Sequence, residues 1–381
     1  MNTLTSIRTQ APGLANDKID NNVLLRALAY AMADHVLYNT GKKQSVKRNA
    51  GTNTVQWRGY KPLPVADNRH VITEGVNPDG MKVGARTVTG TVAVYGAYIE
   101  VTRQVESYNL DQLLVEYGPL ITNHAAETLE LITRDAIEED AGVYYVVPTG
   151  TATPSKEAIT SSNILNLDVC RLVANQMKVS RRRGHESTGF NRYKVITSVE
   201  GMQDLLDDQK LLQRAMVPGN TNKPVMDNGL ESYDVYNLRF VEYNYPVIET
   251  AYHASTDTSV QAGKTYYTRS GDASTGYTYT AVADPSGSPS SKSYYEGVQV
   301  YHTYVFGENA YAVMDLASAG IEIKKFGFEA KKGDNLGQIA SLGWITMGYG
   351  AQVLDPVAAT VIYHAVSNPL TRPTDIYAAQ N

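Results

Sequence analysis

The chain has 381 residues, of which 43% are hydrophobic and 19% are charged, so it can bury one or more sizeable cores. Its 34 Lys and Arg against 39 Asp and Glu give a formal charge of -5, which argues against a protein that coats DNA with its whole surface. The sequence contains neither a run of about 18 apolar residues nor a secretory signal pattern, so we expect no membrane insertion and no export from the cytoplasm.

Positive charge is concentrated in the first 60 residues, which carry eight Lys and Arg against three Asp, while the rest of the chain is acidic. Four of these cations are Lys42, Lys43, Lys47 and Arg48. A basic segment on an acidic body suits contact with an acidic neighbour or with enclosed nucleic acid. A solvated, flexible face fits the same composition equally well.

The first predicted element is an amphipathic helix that Asp20 or Asn21 caps and that Asn39-Thr40-Gly41 ends. The most informative segment follows, because Arg86–Glu106 is rich in Thr and Val and predicts one very long strand. Its local partner is Asn53–Tyr60, and the Pro- and Gly-rich residues between them predict the tip of a hairpin. A two-stranded ribbon is marginal alone in water, so we expect this arm to lie on another copy of the chain.

The longest helical pattern is Asn109–Gly142, where Leu and Ile recur at steps of three or four residues and Pro119 predicts an early break. Helices near Asn166–Arg182 and Val199–Ala215 then alternate with strands, which predicts an α+β layered arrangement. Residues 252–297 are rich in Tyr, Gly, Ser and Pro and predict a small β insertion displayed on the surface.

Three segments near the end predict strands that close one sheet under the long helix: Ala319–Phe328, Leu342–Leu354 and Pro356–Ala365.

The sequence lacks the patterns of catalytic and cofactor sites. Its seven His never take a metal-ligand spacing, no CxxC occurs, and no GxSxG, GxGxxG or GxxxxGK[ST] motif stands in the right context. The trio Glu138-Glu139-Asp140 could be imagined as an acid/base pair, but we interpret it as a solvated helix end. Cys170 lies on the apolar face of a predicted helix and is expected in the core. We therefore expect no enzyme, metal or cofactor.

The run Arg181-Arg182-Arg183 follows a predicted helix, where cations complement the negative end of the helix dipole. Contact with an acidic neighbour or with nucleic acid is the alternative interpretation.

Five blocks of the sequence carry a family resemblance: Thr73–Gly80 at the hairpin tip, Tyr95–Thr102, Glu127–Asp135, Glu308–Tyr311, and Gly333–Gln338 running to Trp344. In this order they resemble blocks of the major capsid proteins of tailed bacteriophages, in the branch grouped with N4-type phages. The first block is similar to the "TEGVxPDG" tip of that family. The resemblance covers roughly residues 50–145 and 300–355.

The resemblance implies the Hong Kong 97 fold, an α+β architecture built around an arm, a loop and two domains. Mapped onto this chain, the expected parts are an amino-terminal arm (1–50), a β-hairpin extended loop (51–106), a peripheral-domain spine helix (107–148), an axial domain (149–318) with its β insertion (252–297), and a peripheral-domain sheet with a carboxyl-terminal tail (319–381).

The resemblance also implies a structural head protein that forms hexamers and pentamers of an icosahedral shell around double-stranded DNA. Its expected partners are further copies, scaffolding, portal and decoration proteins, and packaged DNA, in virions assembled in the host cytoplasm. The residues expected at contacts between copies are Trp57, Tyr60, Thr73, Glu74, Asp79, Tyr95 and Tyr98. The residues expected on the inner face, near DNA, are Lys42, Lys43, Lys47 and Arg48.

Two other classes remain open at this point. An encapsulin-type compartment would share the fold and enclose enzyme cargo, and a phage tail-tube or sheath protein would also carry a long hairpin arm.

Overall fold

The structure is a computed structural model, and it divides the chain into two compact units. The first unit comprises 1–137 and 311–354, and the second comprises 138–310 and 355–381. The residues that the structure describes are 35–46, 53–60, 63, 74–75, 82–108, 113–148, 151, 153–185, 192–208, 225–227, 230–235, 237–255, 259–261, 264–272, 276–282, 285, 289, 294–316, 321–329 and 335–370.

The first unit contains three helices and seven strands among its described residues. They are α1 (Val36–Thr40), β1 (Lys42–Val46), β2 (Thr54–Tyr60), β3 (Ala85–Thr91), β4 (Ala93–Thr102), α2 (Arg103–Tyr108), α3 (Leu113–Asp140, whose last three residues belong to the second unit), β14 (Tyr311–Leu316), β15 (Ile321–Phe326) and β16 (Ile339–Val353).

Its main sheet is built around the long strand β16, which pairs with β14, β15 and β4, while β1 extends the sheet by a parallel pairing with β14. The predicted long helix is confirmed as α3, which buries Ile121 and Ala125 against Leu342 and Trp344 of the sheet. The break predicted at Pro119 is wrong, because α3 is continuous through it. Pro119 is the seventh residue of α3 and removes one intrahelical hydrogen bond, but the apolar stripe beyond it holds the helix on the sheet.

The single long strand predicted for Arg86–Glu106 is also wrong, because its two halves have different partners. Residues of β3 pair with β2 in a separate two-stranded ribbon, and after buried Val92 the chain continues as β4, which pairs with β16. Helix α2 begins at Arg103. Strand β4 therefore belongs to the main sheet through its pairing with β16, and among the described residues the ribbon that the sequence predicted comprises 54–60 and 85–91.

The second unit contains the remaining elements. They are β5 (Gly142–Tyr145), a 3-10 turn (Lys156–Ala158), α4 (Leu167–Val179), β6 (Tyr193–Ser198), α5 (Val199–Asp207), β7 (Val225–Asp227), β8 (Leu230–Val235), β9 (Leu238–Tyr243), β10 (Ile248–Ala254), β11 (Tyr266–Asp272), β12 (Gly276–Ala281), β13 (Tyr295–Phe306) and β17 (Ala359–His364).

These strands form one ten-stranded mixed sheet centred on β13, which pairs with β6, β10, β11 and β17. Strand β17 therefore belongs to this sheet, which corrects the expectation that Pro356–Ala365 closes the sheet under the long helix. Nearly every residue of β17 is buried, so its burial does not alternate and periodicity alone does not identify its partner. Helix α4 packs on the sheet through Cys170, Val173 and Met177.

The predicted β insertion is confirmed as β structure, since β11 and β12 form a hairpin. It is not simply a surface addition, because β11 also pairs with β13 at Tyr266 and Tyr267, and Tyr266 is fully buried. Tyr252 stacks on Tyr279 with ring centroids 4.0 Å apart, so tyrosines of this region pack on one another.

Candidate assembly surface

The ribbon residues predicted to contact another copy differ in how much surface they expose. Tyr60 is 72% exposed at the end of β2, and Glu74 is exposed. Trp57 is only half-buried, and it packs with Val92 and Met314 at the base of the ribbon. Its position therefore anchors the ribbon to the sheet of the first unit. Thr73 and Asp79 lie outside the described residues.

Strand β4 separates the two tyrosines that were predicted together. Side chains alternate between the faces of a strand, so Tyr95 faces the same way as Ala97 and Ile99 and packs with them in the core beneath α3. Tyr98 points to the opposite face and is 70% exposed. Only Tyr98 is therefore available to another molecule.

A glycine of β16 makes room for Tyr98. Gly343 is its direct cross-strand partner, and a Cβ added to Gly343 would lie 2.6 Å from the Cβ of Tyr98. The aromatic ring thus covers a position without a side chain.

The outer face around Tyr98 is more apolar than the sequence analysis recognised. Val94 of β4 is 59% exposed and Phe326 of β15 is 53% exposed. The charged pair beside Phe326 is Lys324 and Glu322, with Nζ 2.5 Å from Oε2. The alternation along β15 could have identified Phe326, since Ile321 and Ile323 face the core and the residues between them face outward.

The basic residues predicted near DNA begin on the edge strand β1. Lys42 and Lys43 are exposed, and the Lys43 ammonium lies 4.5 Å from the centre of the Tyr38 ring. Lys47 and Arg48 lie outside the described residues. The segment 35–46 is an integral part of the first unit, because β1 is hydrogen-bonded in register with all of 312–316.

A buried carboxylate of the long helix α3 holds this segment, and no local pattern in the sequence indicates it. Glu130 is fully buried, and its Oε1 and Oε2 accept hydrogen bonds of 2.9 and 2.8 Å from the backbone N–H groups of Leu37 and Tyr38. These donors belong to the first turn of α1, where helical N–H groups lack partners within the helix. The Tyr311 hydroxyl donates to the Leu37 carbonyl at 2.6 Å.

The interpretation of Glu138 as part of a solvated helix end is wrong. Its carboxylate is 2.8 Å from Nδ1 of His302 and accepts hydrogen bonds from the hydroxyls of Tyr304 and Tyr363. Burial alone would raise the pKa of Glu138, but His302 and the two hydroxyls outweigh it, so the pKa lies below its usual value. Glu139 and Asp140 are exposed.

Within the described residues, no group of three or more His, Cys, Asp or Glu is arranged to hold a metal ion. Helices in the same part of the chain are all too short or too polar to cross a membrane. Cys170 is buried as predicted, and burial raises the pKa of its thiol to about 12, so the thiolate that nucleophilic chemistry needs is not formed near neutral pH.

No protein-family model and no curated protein matches this chain, so the comparisons rest on solved structures. The capsid of Ralstonia phage GP4 is similar with a TM-score of 0.56 and 10% identity, over 87% of this chain and 89% of that one. The cyanophage Pam1 capsid asymmetric unit is similar with a TM-score of 0.57 and 9% identity, over 87% of this chain and 90% of that one. The capsid structure of cyanophage P-SCSP1u is similar with a TM-score of 0.52 and 13% identity, over 86% of this chain and 87% of that one.

At these identities the likeness concerns the fold. The mixed α+β fold of this chain is similar to that of Hong Kong 97-like capsid structures, which confirms the predicted fold class.

Proposed function

We propose that this chain is the major capsid (head) protein of a tailed bacteriophage, and that hexamers and pentamers of it form an icosahedral shell around double-stranded DNA. The observation that carries the proposal is that nearly nine-tenths of the chain shares its fold with nearly nine-tenths of phage capsid subunits. Fold alone does not fix function, so local features of the chain must also support assembly.

Exposed apolar and aromatic side chains supply that support. Tyr60 on the ribbon and Tyr98, Val94 and Phe326 on the sheet leave large apolar areas open to solvent. Aromatic residues are enriched at the centres of protein interfaces, where their burial contributes most of the association energy. These surfaces would be covered by neighbouring copies in a shell.

The parts of the fold take their proposed roles from this assembly. Residues 1–50 act as the arm, 51–106 as the extended loop, and the remainder as the peripheral and axial domains. Each contact between copies is modest, so assembly errors are reversible, and many contacts together give a permanent shell.

The basic residues of the arm, including Lys42 and Lys43, would face inward and contact DNA phosphates without reading sequence. The finer partners we propose are scaffolding, portal and decoration proteins, during assembly in the host cytoplasm. The role is structural, and the particle does not require chemistry by this chain.

Negative-stain microscopy of the overexpressed, purified chain tests the proposal directly. Closed isometric shells are expected, and shells purified from a full phage infection should contain double-stranded DNA. Tubes or stacked rings would instead indicate a tail protein, and closed shells that hold enzyme cargo without DNA would indicate an encapsulin-type compartment. A chain that stays monomeric at high concentration would refute all three.

A further inference from the structure

Helix α4 of the second unit exposes apolar side chains on the face that points away from its core. Leu172 is 51% exposed and Val179 is 84% exposed. The two positions are seven residues apart, so they lie on the same side of the helix. The opposite side already packs in the core through Cys170, Val173 and Met177. The outer side of α4 therefore carries an exposed apolar pair, Leu172 and Val179, that the core of the second unit does not cover.

The start of α4 is acidic. It borders a cavity of about 430 Å³ whose lining includes four carboxylates, those of Asp168, Asp204, Asp207 and Asp208. Asp204 is occupied within the fold, because it accepts hydrogen bonds from the backbone N–H and the hydroxyl of Ser367. Asp207, at the end of α5, is exposed.

The other two carboxylates have partners near the helix start. Asp208 Oδ2 accepts a hydrogen bond of 3.1 Å from the backbone N–H of Leu167, and Asp168 Oδ1 lies 3.6 Å from Nη1 of Arg171. Four carboxylates thus gather at this end of α4, and that of Asp207 is exposed to solvent.

The end of α4 is basic and rigid. The backbone N–H of Arg182 donates to the Met177 carbonyl and that of Arg181 donates to the Lys178 carbonyl, both at 2.9 Å, which is the geometry that usually ends a helix at glycine. Arg181 has a φ of 58°, in the left-handed region that disfavours side chains by about 1 kcal/mol. The position therefore carries an arginine where the backbone favours glycine.

Only part of this positive charge is used within the fold. Arg182 pairs with Asp355 at 2.7 Å and the Lys178 ammonium lies 5.8 Å from the centre of the Tyr193 ring, while Arg181 and Arg183 are exposed. The carbonyl of Arg183 accepts a hydrogen bond of 2.9 Å from Glu308, so the backbone that presents these cations is fixed.

We propose that the outer face of α4 is a contact between copies of this chain, which buries Leu172 and Val179 and sets the acidic end of one copy against the basic end of the next. Asp168 precedes Leu172 by four residues and Arg181 follows Val179 by two, so charged residues of opposite sign lie before and after the apolar pair along the helix. Apolar centres with charged rims are the usual anatomy of such interfaces. This inference rests on the proposed function, because shell assembly requires contacts between copies.

A second copy fits this face better than DNA does. Phosphates would favour the basic end but would be repelled by the acidic end and would leave Leu172 and Val179 without an apolar partner. Another copy can contact the basic end, the acidic end and the apolar pair at once, because the surface carries both signs of charge and is complementary to itself.

Charge reversal and re-pairing test the contact in the full chain. The variants are Asp207→Lys, Arg181→Glu and the double variant, with Glu157→Lys as a control that reverses an exposed carboxylate elsewhere in the second unit. The measurement is the fraction of chain that sediments as particles in a sucrose gradient. Each single reversal places like charges together and should lower that fraction about tenfold, whereas the double variant restores opposite charges and should recover it. The control should assemble normally, and thermal unfolding should match in all four variants.

Two results would overturn the contact: single variants that assemble like the unaltered chain, or a double variant that assembles no better than either single. Single variants that assemble normally but bind a DNA duplex more weakly would assign the cations to DNA instead. If the unaltered chain forms no shells, the proposed function fails, and sedimentation equilibrium of the same proteins then tests the contact. The association constant should fall in both single variants and return in the double variant, and any other pattern refutes it.

Discussion

Oε1 of Glu130 in the spine helix accepts a hydrogen bond of 2.9 Å from the backbone N–H of Leu37, so the middle of α3 holds the first turn of α1. The carboxylate is fully buried, and its second oxygen accepts from Tyr38. A buried carboxylate that receives two backbone donors behaves like a helix cap supplied from a distant part of the chain.

Replacing Glu130 with Gln should therefore weaken the first unit. The amide keeps one acceptor but directs an NH2 group toward a backbone donor, which should lower the free energy of unfolding by about 2–3 kcal/mol. Urea unfolding measures the loss, with Glu139→Gln on the exposed end of the same helix as the control. Hydrogen exchange at Leu37 and Tyr38 should accelerate in the variant, and unchanged protection there would contradict the role of Glu130.

Two truncations should separate the assembly role of the arm from its structural role. Deleting 1–34 leaves α1 and β1 in place, so a folded chain should remain whose ability to form particles can be measured. Deleting 1–48 removes the parallel partner of β14 and the Leu37 and Tyr38 donors to Glu130. We therefore expect that larger deletion to lower the thermal midpoint of the monomer. Equal midpoints for both truncations would refute this expectation.

Two tyrosines of β4 should give opposite phenotypes. Tyr98→Ser removes an exposed ring and should reduce particle yield while changing unfolding by less than about 1 kcal/mol. Tyr95→Ser removes a ring from the core under α3 and should destabilise the fold by about 1–3 kcal/mol. Tyr60→Ser on the ribbon should behave like Tyr98→Ser. Gradient sedimentation and urea unfolding of each variant would reveal whether the two effects separate in this way.

His364 should make the stability of the chain depend on pH. Burial lowers its pKa to about 4, and the neutral ring accepts a hydrogen bond of 2.8 Å from Thr303 and donates to the Ala365 carbonyl. The unfolded chain takes up this proton near pH 6.5. Stability from neutral His364 is therefore complete above about pH 6.5 and is lost progressively as the pH falls toward 4, by about 3 kcal/mol in total.

The substitution His364→Gln should remove that part of the pH dependence, while Ile362→Val on the same strand should lower stability at every pH without changing the slope. Urea unfolding between pH 4 and 7 provides the comparison. A slope that survives in the glutamine variant would assign the titration to other groups.

Local patterns predicted those parts of the fold whose partners are near in sequence or whose periodicity is strong. The spine helix was predicted because Ile121, Ala125 and Leu129 repeat at helical spacing, and the ribbon because 54–60 and 85–91 are both strand-like and flank a turn-rich segment. Strand partners distant in sequence were not predictable. The apolar sequence of β17, for example, would fit either sheet, although its partner is β13. The partners of Glu130 and Glu138 lie 93 and 164 residues away, so nothing near either residue indicates them.

The order in which the two units appear along the chain has a consequence for synthesis on the ribosome. Strand β4 ends at Thr102, but its partner β16 begins at Ile339, and the whole of 138–310 belongs to the other unit. At about 5–20 residues per second, the nascent chain must hold β4 and the apolar stripe of α3 without their sheet for on the order of 10 to 50 s. The first unit therefore begins first but is completed only after most of the second unit has been synthesised, so its unpaired strand β4 becomes a substrate for the chaperones of the translating cell.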